Sequence, residues 1–187
     1  MKVTVKFGLG FAAFWIAFKM ILFMTLTGQD RYNLELPILL NILCLLLAMT
    51  VGLYVHKRNQ TEESNALDDI KSGMSAGLPY TIIVSVFLFL YYNNIDPEFN
   101  RHQLTESEVQ LDKMLDDPAE LKKLKKSNAD FEVMGKDQIR SQLLSNQQAM
   151  FSPRSVMTIS LLGMLILSTI NAIFVTVVFR KLIFRRT

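Results

Sequence analysis

The chain has 187 residues, half of them hydrophobic, with 13 Phe, 10 Met and a mean hydropathy of +0.26. So apolar a composition is not that of a water-soluble domain. The net charge of +3 would by itself admit a nucleic-acid partner, but the basic residues gather at the ends of apolar runs, where a membrane surface accounts for them and no nucleic acid is required.

Four stretches reach the roughly 17–25 apolar residues that cross about 30 Å of hydrocarbon at about 1.5 Å per residue. They cover about 7–27, 36–55, 73–95 and 153–179. The expected fold is all-α: a polytopic membrane protein with four transmembrane helices and a helical periplasmic insertion between the third and fourth. Residues 1–95 hold the first three spans, 96–152 the insertion, and 153–187 the last span with a basic cytoplasmic tail.

The first stretch follows Lys2 and Lys6 and resembles a signal peptide. Its apolar part is too long and lacks a small-x-small cleavage site, so it reads as a retained span. Within "FAAFWIAFKMILFM" stands Lys19, about 18 Å into the bilayer from residue 7 and about 12 Å from the outer end. A lysine there carries an insertion penalty of about 2.5–3.5 kcal/mol, which snorkelling along its stem or a partner would lower. Asp30, Glu35, Asp96, a lipid phosphate or an acid on another subunit could neutralise it, and Asn41 and Tyr91 could serve as neutral partners. Two readings follow: a structural lysine, or an outward-facing anion or headgroup site made of Lys19, Asn41 and Tyr91. The expected spans contain no carboxylate, which argues against a proton relay.

The second stretch carries the lone Cys44, so no intrachain disulfide forms, and it ends at His56, Lys57 and Arg58. The third opens on Gly73 and Gly77. That small-x-x-x-small spacing recurs in Gly8 with Ala12 and Ser168 with Ala172, and it points to helix packing within the chain. Residues 91–99, "YYNNIDPEF", place an aromatic belt and a proline at the outer exit.

The insertion carries eleven acidic and eight basic residues, too many for hydrocarbon. Thr105 with Glu108 suggests a capping box, Asp117-Pro118 a helix start, 128–135 a turn, and 136–150 a further helix. These helices are short and polar and are expected to lack an adequate core of their own, so they need each other, the membrane surface or another protein. Ser152 and Pro153 then open the last span, which ends on Arg180, Lys181, Arg185 and Arg186. With Lys57 and Arg58 these residues orient the chain or meet lipid headgroups, and the lysine and arginine bias predicts both termini in the cytoplasm.

"DDIKSGMSAGLPYTIIVSVFLFLYYNNIDPEF" (68–99), followed by a long outer loop and an "FSP" start to the last span, resembles a family of small bacterial integral membrane proteins known only as a domain of unknown function. The resemblance implies four spans in a Gram-negative inner membrane and carries no activity.

No Gly-rich phosphate loop, nucleophile elbow or zinc-protease motif occurs, and His56 and His102 fall on opposite sides of the expected topology. The expectation is a protein without catalysis, cofactor or metal, accompanied by membrane lipids and a protein partner or further copies of itself. It would be an accessory or scaffolding subunit of an envelope complex that docks through the insertion. The alternative is a small transporter or lipid-binding module built around Lys19.

Overall fold

The computed structural model of the chain describes residues 2–28, 32, 33, 35–59 and 65–183, with side chains as far as residue 181. Asp30, Arg31, Arg185 and Arg186 lie outside the described residues.

Four helices among the described residues are long and apolar enough to cross a membrane. They are α1 (Val3–Thr25), α2 (Glu35–Arg58), α3 (Ala66–Leu90) and α8 (Pro153–Val178); α3 and α8 are prolonged by π-helical turns at Tyr91–Ile95 and Phe179–Ile183. In hydrocarbon a backbone has no water to bond, so a long apolar run closes its hydrogen bonds within itself as a helix. Between α3 and α8 come α4 (Pro97–Asp116), α5 (Pro118–Ser127), α6 (Ala129–Glu132) and α7 (Lys136–Met150). The chain divides into two compact units, Met1–Leu88 with Met157–Thr187, and Phe89–Val156.

In the first unit α1 turns Thr4, Gly8, Ala12, Trp15 and Lys19 inward, a stripe at spacings of three and four residues. A Cβ on Gly8 would run into the Ala76 carbonyl oxygen of α3, so only glycine lets these backbones meet. The Trp15 indole donates to the Pro37 carbonyl at 3.0 Å, tying α1 to the start of α2. On α3, Asp69, Gly73, Gly77, Thr81 and Ser85 form one buried ridge at every fourth position. It faces a matching ridge on α8, Met164, Ser168, Ala172 and Thr176. The glycines do the spacing work: a Cβ at Gly73 would sit 3.7 Å from that of Ala172, and one at Gly77 would lie 3.1 Å from Ser168 Oγ. The two small-x-x-x-small motifs of α3 and α8 therefore pack on each other.

The helix α3 begins at Ala66, about seven residues before the apolar run. Hydropathy averages the acids of "LDDIK" with their neighbours, whereas the helix sorts them by face. Asp68 stays half-exposed beside Lys71, and Asp69 turns into the bundle. The reading that no carboxylate lies inside the spans is corrected accordingly.

The second unit also corrects an expectation, since its polar helices do have a core. Leu111 and Leu115 of α4, Phe131 of α6 and Ile139 of α7 bury together, with Leu121, Leu124 and Leu143 packed against them. Short amphipathic helices that are marginal alone cover one another's apolar faces. The Asp117 side chain caps α5 by accepting from the Ala119 amide at 2.8 Å. Ser152 Oγ accepts from the Ser155 amide at the start of α8. The expected turn at 128–135 contains the single helical turn α6, capped by Asn128. Thr105 caps nothing. The helix already starts at Pro97, whose fixed φ suits the first helical position, and Thr105 lies mid-helix with its hydroxyl donated to the Arg101 carbonyl.

Candidate functional site

At one end of the first unit the carboxylate of Asp69 has no exposure to solvent. Its Oδ2 accepts from Arg180 Nε at 2.7 Å and lies 2.8 Å from Lys57 Nζ. The last turn of α2, the first of α3 and the π-helical end of α8 thus meet on one oxygen. Lys57 is 12 % exposed and Arg180 37 %, so the cluster grades from a dry carboxylate to a half-wet guanidinium. Both basic residues were expected to orient the chain or meet headgroups, and here they turn on an acid. Arg58 and Lys181 are exposed.

Sequence reading passed over Asp69 because it lies outside the hydropathy window. The signal was present in the register: Asp69 stands four residues before Gly73 and eight before Gly77, on the same helix face.

Further along the bundle, the Tyr80 hydroxyl donates to Asn41 Oδ1 at 2.6 Å and approaches the Asn41 carbonyl at 3.1 Å, while Asn41 Nδ2 points at Met164 Sδ at 3.6 Å. Next to it Thr81 and Ser168 share a buried hydroxyl bond of 3.3 Å. Each contact joins two of α2, α3 and α8 through groups that would otherwise be orphaned in hydrocarbon.

Lys19 is 4 % exposed and belongs to the inward stripe of α1, so its side chain is covered by protein rather than turned to lipid. In the second unit Tyr91 donates to Asp96 Oδ2 at 3.2 Å, and Asp96 is itself buried. The rings of Tyr91 and Tyr92 meet edge to face and those of Tyr92 and Phe99 at a tilt, each pair 5.1 Å apart, so "YYNNIDPEF" folds as one aromatic cluster beside a carboxylate. Of the three residues expected to form one polar site, Asn41 is thus engaged by Tyr80 and Tyr91 by Asp96.

On the second unit Arg140 grips Asp112 with both ends of its guanidinium, at 2.6 and 2.9 Å. That hydrogen bond holds Asp112 below the ordinary carboxylate value and Arg140 above its own. Lys136 pairs with Asp116 one turn away, so α4 and α7 are linked by charge as well as by their core. Along α5, Lys122, Lys123 and Lys126 face outward, whereas Lys125 folds back onto the Met134 carbonyl at 2.7 Å. Among the described residues, no group of three His, Cys, Asp or Glu side chains is arranged to hold a metal.

No curated protein and no solved structure matches the chain. One family, described as "Protein of unknown function (DUF4199)", matches residues 6–181, a span that runs from the first turn of α1 to the basic end of α8. With that match over nearly its whole length and four helices able to cross a bilayer, the chain is a multi-pass integral membrane protein belonging to the DUF4199 family.

Proposed function

We propose that the protein is a non-catalytic accessory subunit of a bacterial cell-envelope complex, seated in the inner membrane with both termini cytoplasmic and residues 96–152 on the periplasmic side. The observation that carries this reading is the core of the second unit. A segment folded on its own apolar cluster offers a fixed pattern of side chains, and a surface already ordered loses less entropy when a partner docks. The outward lysines of α5 favour a partner with an acidic face.

Purification of the full chain from native membranes in mild detergent tests the proposal. Lys122→Glu with Lys126→Glu is expected to release the co-purifying partner while the protein remains inserted. An unchanged set of companions, or a tag near residue 125 reachable from the cytosol in intact cells, would overturn it.

A small transporter or lipid-binding module around Lys19 is the second reading, favoured by the burial of that side chain on the inward stripe of α1. Lys19→Leu separates the two. Loss of anion or headgroup binding with folding intact supports the module, and intact assembly with equal or greater stability supports the subunit.

A further inference from the structure

The outer side of α1 and α2 bears a feature that the packing of the bundle does not use. Phe7, Phe11 and Phe14 of α1 wall one side of an open apolar cleft of about 680 Å³, and Leu40, Leu43 and Leu47 of α2 wall the other. Ligand clefts commonly measure about 300–1,000 Å³. Gly10 makes the gap: a Cβ there would meet nothing within 4 Å. The cleft is apolar along its length except at one end, where Lys6 lines it, one helical turn from the start of α1. Lys2 lies one further turn out on the same face.

From Lys6 to Phe14 the cleft runs about 12 Å along the helix, close to the roughly 15 Å depth of one bilayer leaflet. A cation at the interface joined to an apolar trough of leaflet depth matches one molecular shape, a phosphate headgroup bearing an acyl chain. We propose that this cleft binds one anionic phospholipid, with its acyl chain between the phenylalanines and leucines and its phosphate on Lys6. Apolar contact alone would not distinguish it from surrounding lipid, because lipid tails are already as apolar as leucine. Selection comes from the lysine, whose attraction to an anionic headgroup is felt at either membrane face. A second copy of the chain fits less well: a two-fold pair through this cleft would bring Lys6 and its symmetry mate to the same depth, and no acid is among the residues that line the cleft.

The test uses the full chain in nanodiscs of equimolar phosphatidylglycerol and phosphatidylcholine, released for native mass spectrometry. The wild type is expected to retain one phosphatidylglycerol. Lys6→Gln should lower the preference for phosphatidylglycerol over phosphatidylcholine about fivefold, the effect of one basic residue near an anionic surface. Gly10→Leu should abolish retention of either lipid, with helicity unchanged by circular dichroism. Leu43→Trp fills the same space from the other wall and guards against a folding defect in the first variant. Retention unaffected by both filling variants, a preference indifferent to Lys6, or a dimer that Gly10→Leu dissociates without any retained lipid would each overturn the proposal.

Discussion

At the scale of single residues, the buried carboxylate of Asp69 carries the largest consequence. Removing one partner from a fully buried ion pair costs about 3–5 kcal/mol, because a stranded charge stays behind. Arg180 is 37 % exposed and can re-solvate, whereas Lys57 is 12 % exposed and would be left stranded, so Asp69→Asn should destabilise the bundle by about 3 kcal/mol, at the low end of that range. Asp68→Asn, one position away, should change stability by less than about 1 kcal/mol, as exposed pairs do. Unfolding by SDS titration of both variants in the same detergent measures the difference. Two adjacent aspartates look alike in sequence. Only the four-residue register running into Gly73 and Gly77 tells them apart, and that register becomes visible once α3 is allowed to begin before its apolar run. Lys19 posed the opposite problem: its presence in the span was plain, but whether it faced lipid or protein depended on which stripe of α1 was covered, and Gly8, Ala12 and Trp15 on that stripe were the clue.

Among the elements, the glycine contacts decide how closely helices approach. Gly8→Ala should destabilise by at least the roughly 1–3 kcal/mol typical of overpacking, since the obstacle is the Ala76 backbone rather than a movable side chain. Gly163→Ala meets nothing within 4 Å and should be neutral or stabilising by up to about 1 kcal/mol through helix propensity. Parallel unfolding titrations compare them. The spans were legible in the sequence because about twenty apolar residues in a row admit few alternatives, as were α5 and α7, with their Asp-Pro start and apolar spacing. The start of α4 was not, because Thr105 and Glu108 mimic a cap inside a helix that Pro97 had already opened.

The Asp112–Arg140 pair has a pH signature. Its folded-state carboxyl value is depressed, so its stabilisation is fully present above the ordinary carboxylate pKa of about 4 and is lost as the pH falls through the lower folded value. Limited proteolysis of residues 89–156 should therefore accelerate below about pH 4 in the wild type. Asp112→Asn should be cut faster at neutral pH and show a flatter acid response. An acid response identical to wild type would remove the pair from the stability of this unit.

For the molecule as a whole, the division into two units predicts separable failures. Ile139→Ala takes a fully buried side chain from the second unit's core and should cost about 2–5 kcal/mol there. Proteolysis should then open residues 89–156 while the membrane-embedded fragments keep their helicity; a single concerted loss of both would contradict the division. That core was illegible from composition, since Leu111, Leu115, Phe131 and Ile139 are scattered over three helices among lysines and acids.

The Asp69 cluster also imposes an order in time. Lys57 is made twelve residues before Asp69, but Arg180 follows 111 residues later. At roughly 5–20 residues per second of synthesis, the acid waits on the order of 6–20 s for its second counter-charge. During that interval Lys57 is already in the chain to meet the carboxylate. Lys57→Gln should therefore lower the yield of inserted protein in a cell-free translation with membranes, while Arg180→Gln should leave insertion normal and weaken only the finished bundle.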